Sequence, residues 1–302
     1  TVNPVNGLVP DNSQKGAPCS IAVVGFALSS WPIGASRGWI SRERAVALTL
    51  AALRFFTSAE QGGGQTGTGH QGFFYHFVDM ENGRRVWNCE LSLIDTALLL
   101  AGCEVAACHF DADTPDETQI RTLSSTLLAS VDWEWALDHG GTLSQGWHPE
   151  TGFIRYDWEG YSEALILYVL ALASDTHPIP PDSYHSWRLT YQWEQIYGLD
   201  VLYAGPLFIH MFSHAWLDLR RIGDAFNREK GVTYFENSVR AVQIQRNYSR
   251  LNPRGFKGYC ADCWGFTACD GPTGPMTTAD DTGRQFLNYS ARGAPYGPDD
   301  GT

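Results

Sequence analysis

Apolar positions recur with a helical period over most of the 302 residues. Ala45, Leu48, Ala52 and Phe56 follow one another at steps of three and four behind Ser41, which predicts a helix capped by Ser41 and running through residue 56. Residues 90–110 read as one helix. Thr114 starts the next, with Glu117 three positions on completing a capping box, and the pattern continues towards residue 138. An apolar helix over 160–174 is stopped before His177-Pro178. Further helices fit 181–197, 205–226 and 231–251. The remaining segments are punctuated by Gly and Pro. Residues 1–38 read as loop with one short apolar segment at 21–28, and 62–72 as a flexible surface loop. Residues 72–87 are aromatic, alternate weakly and contain the turn Glu81-Asn82-Gly83, which fits a hairpin. Residues 140–156 read as loop or hairpin, and 252–302 show little periodicity. Helix follows helix with no strand–helix–strand alternation, so Rossmann and TIM-type folds are excluded. The expected class is all-α, in one domain over 1–302. Residues 163–173 are apolar nearly all round and require helices on every side. A toroid of paired helices, with long aromatic and Gly-rich loops at one rim, meets that requirement better than a small bundle.

Composition adds a ligand class. Hydrophobic residues make up 43% and charged residues 18%, enough for a large core. No apolar run approaches the roughly 20 residues that span a bilayer. The formal net charge of −12 repels phosphate, so nucleic acid and anionic membranes are poor partners. Eleven Trp, 13 Tyr and 15 Phe offer ring faces for the C–H faces of sugars, and carboxylates can bind sugar hydroxyls. The seven cysteines include Cys260-x2-Cys263-x5-Cys269, readable as a metal site, a disulfide with a free thiol, or ordinary thiols. No fourth ligand is evident nearby, and no metal is expected. The chain opens in a polar stretch with Pro and Gly, as a processed or trimmed chain would.

Glycoside hydrolysis needs one protonated carboxyl and one ionised one. Four segments offer carboxylates beside aromatics. In the first, Glu90 and Asp95 open an apolar helix, five residues and roughly 140° apart. Glu90 can serve the helix dipole, whereas Asp95 among Leu, Ile and Ala is costly unless paired or functional. In the second, Asp157, Trp158 and Tyr161 lead to Glu163 at the mouth of the most apolar helix. Desolvation there would raise its pKa as a general acid requires, against the pull of the helix N-terminus. In the third, His210, His214 and Asp218 share one helical face as a polar stripe. HExxH is absent, so the stripe reads as pocket lining or core rather than metal ligation. In the fourth, Trp264 lies between small residues near Asp262 and Asp270 and suits a sugar platform or a packed Gly/Pro loop.

The runs GLVPDNS (7–13), GFFYHF (72–77), ELSLIDTALLLAG (90–102), WEGYSEALILYVLALAS (158–174), PLFIHMFSHAWLDLR (206–220), FKGYCADCWGFTACDGP (256–272) and PYGPDDGT (295–302) carry a resemblance. In order along the whole chain, they resemble the bacterial glucoamylase-like domain family, which includes endo-β-1,2-glucanases and a domain of cyclic β-1,2-glucan synthases. The resemblance implies an (α/α)6 toroid, hydrolysis or transfer of a β-linked glucan with no cofactor, an oligo- or polysaccharide partner, and a periplasmic or secreted location. Glu163 is similar to the essential glutamate of the family's GY-x-EA motif, and Asp95 to the acid before T-A in its helix motif. Ser92 stands where one glucanase branch has a second acid. Glu163 and Asp95 are therefore the expected catalytic residues. Glu90, Asp157, Trp158, Tyr161, His210, His214, Trp264 and Asp270 are the expected substrate contacts. Family members continue past D-D-G-T, which implies closing helices and a further carboxylate in a C-terminal continuation or a second chain. The alternatives to a hydrolase are a transglycosylase and a non-catalytic oligosaccharide-binding domain.

Overall fold

The computed structural model describes residues 2–137, 141–271 and 286–302, in two compact units. The expected end of the third helical pattern near 138, the start of the loop at 140, and much of the Gly/Pro-rich stretch after 271 lie outside the described residues.

The first unit comprises Thr1–Glu159 and Ile166–Trp187. Strand β1 (Cys19–Ser20) leads into helix α1 (Ile21–Ser36), where the sequence pattern expected a loop. The segment forms a helix despite Gly25 because that glycine is a packing device. A Cβ on Gly25 would lie 2.2 Å from the Leu98 carbonyl oxygen. One on Gly102 would lie 2.2 Å from the oxygen of Gly25. Two facing glycines thus let α1 lie backbone to backbone against α3 (Leu93–His109). Helix α2 (Arg42–Thr57) is capped as expected, the Ser41 hydroxyl accepting from the Arg44 amide.

Helix α4 (Pro115–Ser130) is capped by Thr114, which accepts from the Glu117 amide, with Pro115 in the first turn where no amide partner is lost. The reciprocal half of the expected capping box is not the bond Glu117 makes. Its carboxylate, on a residue only 4% exposed, receives two bonds from Arg42 at 2.7 and 2.8 Å and one from the Ala112 amide. A buried residue with a guanidinium in reach ties α2 to α4 instead of closing its own helix end.

Short antiparallel strands interrupt the helices, so the chain is helical with small sheets rather than all-α. Strands β2 (Gly69–His70), β3 (Phe73–Tyr75), β5 (Leu91–Ser92), β6 (Gly146–His148) and β7 (Gly152–Phe153) form one sheet in that spatial order. Strand β4 (Phe77–Val78) pairs separately with β1. The aromatic segment 72–87 enters strands, though not as an isolated hairpin. Helices α5 (Leu165–Leu172) and α6 (Pro181–Arg188) are both shorter than the pattern indicated.

The second unit comprises Gly160–Leu165 and Arg188–Thr302. Here β8 (Trp193–Ile196) and β9 (Leu199–Leu202) form a hairpin where helix was expected. Tyr197 and Gly198 both have positive φ, +50° and +76°, the two-residue turn whose twist suits antiparallel strands. The expected helix over 205–226 is broken into α7 (Leu207–Met211), a 3-10 turn at Phe212–Ala215, and α8 (Ala225–Lys230). Helix α9 (Tyr234–Leu251) agrees with its pattern, with a complete Thr233–Glu236 capping box.

Buried amides on α9 bind main chain elsewhere in this unit. Asn237 exchanges two bonds with Leu202, at 2.7 and 3.0 Å, and Gln245 bridges Gly205 and Phe266. Near β10 (Ala268–Cys269) and β11 (Ser290–Ala291), Arg292 forms a buried two-bond pair with Asp300, both contacts at 2.9 Å. Asp299 accepts from the hydroxyls of Tyr248 and Tyr259.

Candidate functional site

Three titratable side chains of the first unit converge where β5 meets α3. The residue after β3 is His76, whose amide donates to the Glu90 carbonyl at 3.0 Å, so the two are cross-strand neighbours. Gly146 on β6 leaves room beneath, since a Cβ there would sit 3.0 Å from Glu90 Cγ. Glu90 therefore precedes a strand rather than opening a helix. The chain turns at Ser92, whose hydroxyl caps α3 by accepting from the Asp95 amide at 3.2 Å and also donates to Asp95 Oδ2. The cap thus fixes the carboxylate in the first turn.

His76 lies between the two acids. Its Nδ1 is 2.8 Å from Glu90 Oε1 and its Nε2 is 3.5 Å from Asp95 Oδ2. The Asp95 side chain is only 13% exposed, against 28% for His76 and 31% for Glu90. That difference sets the charges. Burial pushes the Asp95 carboxyl above the usual range, outweighing the His76 charge and the Ser92 hydroxyl. Burial acts the same way on Glu90 but is overcome by its bond to His76, and its pKa falls. Burial opposes the imidazolium, but Asp95 and Glu90 together hold its pKa above the ordinary 6.5. A carboxyl with a raised pKa and one with a lowered pKa, joined by an imidazole, are groups suited to acid–base chemistry. The three ligand atoms lie within 4.8 Å of one another and could also hold a cation.

The other predicted residues fall elsewhere. Asp157 and Trp158 are held to the 142–143 segment, Thr142 donating to Asp157 Oδ2 at 3.0 Å and Trp158 donating its amide to Leu143. Glu163 sits half-buried in the turn before α5, two residues ahead of the helix rather than inside it. Its carbonyl accepts from the Ser213 hydroxyl. Tyr161 lies in an aromatic box, parallel to Tyr234 at 5.8 Å and 5.2 Å from the His210 ring. Burial pushes its hydroxyl up to about 12.

His210 is 1% exposed, bonds Ala204 O at 3.1 Å and is driven down to about 4 by burial, so it is neutral at physiological pH. His214 Nε2 meets the Ser238 hydroxyl at 2.9 Å. The expected stripe ends there. The chain leaves the helix before Asp218, which is exposed and paired with Arg220. Trp264 is 38% exposed and Asp270 is exposed beside β10. All seven cysteines are free thiols. Of the predicted residues, the structure brings Glu90 to Asp95, Asp157 to Trp158, and Tyr161 to His210. His76 was missed: it stands 14 residues before Glu90, and only the cross-strand pairing brings the two together.

Helices with small antiparallel sheets, carrying a carboxylate–imidazole–carboxylate unit, define the class as one equipped for acid–base chemistry. Comparison with known proteins shows what the chain is similar to. Residues 155–302 match the Glycoamylase family model, described as "Putative glucoamylase". It is 27% identical over 301 residues to an exo β-1,2-glucooligosaccharide sophorohydrolase (non-reducing end) of Parabacteroides distasonis, covering 88% of this chain. It spans 40% of the length of that relative. A crystal structure of a "putative glucoamylase" of Bacteroides uniformis superposes with a TM-score of 0.83 at 26% identity, covering 97% of this chain and 69% of that one. An endo-β-1,2-glucanase of Chitinophaga pinensis, in complex with sophorotriose and glucose, gives 0.76 at 25% identity, covering 89% and 68%.

Proposed function

We propose that the chain is part of a glycoside hydrolase acting outside the cytoplasm on a β-linked glucan, with β-1,2-glucooligosaccharides as substrate, and that its helices belong to an (α/α)6 toroid. The observation that carries this reading is the largely buried Asp95, held by Ser92 and His76 beside Glu90. Because the imidazole stands between them, no sugar can pass between Glu90 and Asp95, and together they act as one member of a carboxyl pair. Asp95 has a raised pKa and, once ionised, is a stronger base than an ordinary carboxylate. It takes the proton of an attacking water while His76 and Glu90 spread the charge. Glu163, in the second unit, is proposed as a catalytic residue on its GY-x-EA motif. The names of the relatives support the β-1,2 linkage.

Asp95→Asn and Glu163→Gln in the full-length protein test both assignments. Each is expected to lower kcat on β-1,2-glucooligosaccharides by about 10²–10⁴-fold, with KM little changed. Full activity in either variant sinks that residue's role.

A further inference from the structure

We propose that Trp87, with the cavity beside it, is a neutral-saccharide subsite that holds a glucosyl ring away from the bond being broken. This rests on the glucan-hydrolase reading and extends it.

Trp87 is 70% exposed and adopts φ +57°, followed by Asn88 at φ +52°. Two successive non-glycine residues in the left-handed region are rare, and a bulky aromatic there is an outlier that surrounding structure must enforce. The enforcement is visible. Arg85, its side chain 1% exposed, donates from Nε to the Cys89 carbonyl at 2.6 Å and from Nη2 to the Asn88 carbonyl at 2.8 Å. Its charge is held by Glu150 at 2.7 Å, and its guanidinium lies 4.7 Å from the centre of the Tyr75 ring. The Val86 amide and the Cys89 thiol both donate to the Phe77 carbonyl. Both ends of a tight loop are thus pinned, and its apex is an indole facing solvent.

The cavity beside it measures about 430 Å³, within the range of roughly 300–1,000 Å³ usual for small-ligand clefts. Its walls are of two kinds. Trp87, Met80 and Pro10 offer apolar surface, while Asp79, Glu81 and Gln14 offer oxygen acceptors. These match the two sides of a pyranose, a C–H face and a rim of hydroxyl donors, and the carboxylates exclude anionic ligands. Two ring contacts link the cavity wall to the acid–base unit. The Trp87 ring lies 5.2 Å from Phe77, and Phe77 stacks on His76 at 3.9 Å. Asp11 follows Pro10 on the cavity wall, and its charge is felt by His76 and Asp95. A glucan chain engaged at Asp95 therefore finds an aromatic platform two ring contacts away.

The test measures kcat/KM of the full-length protein on β-1,2-glucooligosaccharides of increasing length, for wild type, Trp87→Ala and Trp87→Phe. The alanine variant is expected to lose about tenfold in kcat/KM on the longer substrates, through KM, and nothing on the shortest cleaved. The phenylalanine variant, which keeps a ring, should recover most of the loss. An equal loss at every length, or none at any, overturns the subsite. If the wild type cleaves no β-1,2-glucan, the functional reading fails separately. The subsite is then judged by the Trp87 indole N–H resonance, identified by its loss in Trp87→Phe, during titration with neutral glucooligosaccharides. A saturable shift supports it, and an unmoved resonance overturns it.

Discussion

Replacing His76 with leucine removes the one cation between Glu90 and Asp95 while keeping much of the side-chain volume. The two carboxylates then face each other with oxygens within 4.8 Å. At that separation and an effective dielectric constant of ~20, two negative charges repel by about 3.5 kcal/mol. In the wild type the imidazolium offsets that repulsion, and the variant loses the offset. Asp95, already raised by burial and by Glu90, is then raised further. Titration of carboxyl carbons by NMR, wild type against variant, should show one group moved up.

Stability provides an independent reading. The folded pKa of His76 is raised, so its contribution is fully present below about 6.5 and disappears as pH rises through the folded value. Glu90 has a lowered pKa, so its contribution is present above about 4.5 and is lost as pH falls through the folded value. The gap in unfolding free energy between the two proteins should therefore be widest between those limits and narrow on both sides. Parallel stability curves from pH 4 to 9, with no displaced carboxyl titration, would refute the coupling.

Other substitutions test the packing that supports the site. Gly102→Ala places a methyl group against the Gly25 main chain and must part α1 from α3, an overpacking cost of about 3 kcal/mol; an unchanged midpoint in chemical denaturation would contradict the close approach. Arg85→Met leaves the Asn88 and Cys89 carbonyls without their donor, at about 1–3 kcal/mol each. Glu150→Gln should have much the smaller effect, and equal effects would show that the ion pair, rather than the carbonyl clamp, holds the loop.

The elements legible in the sequence were those whose ends are specified locally. Ser41 and Thr114 cap their helices with their own side chains, so a few residues identify each start. Helix α1 was illegible because Gly25 and Pro32 read as breakers, and only the facing Gly102, 77 positions away, explains why Gly25 is favourable. Strands of two or three residues carry no detectable alternation, which is why β5 was absorbed into the pattern of α3. The 205–226 stretch keeps a helical spacing that its backbone abandons at the 3-10 turn, so the histidine stripe dissolved. Asp95 was recognisable because a carboxylate in an apolar run demands an explanation. Its partner His76 was not, because cross-strand pairing with Glu90 is a long-range fact.

Hydrolysis of β-1,2-linked glucan by the full-length protein is the proposal on which the rest depends. Incubation with β-1,2-, β-1,3-, β-1,4- and α-1,4-glucans, with products resolved by size, tests it most directly. Short glucooligosaccharides are expected from the β-1,2-glucan and none from the α-1,4-glucan. Products from the α-1,4-glucan alone would contradict it.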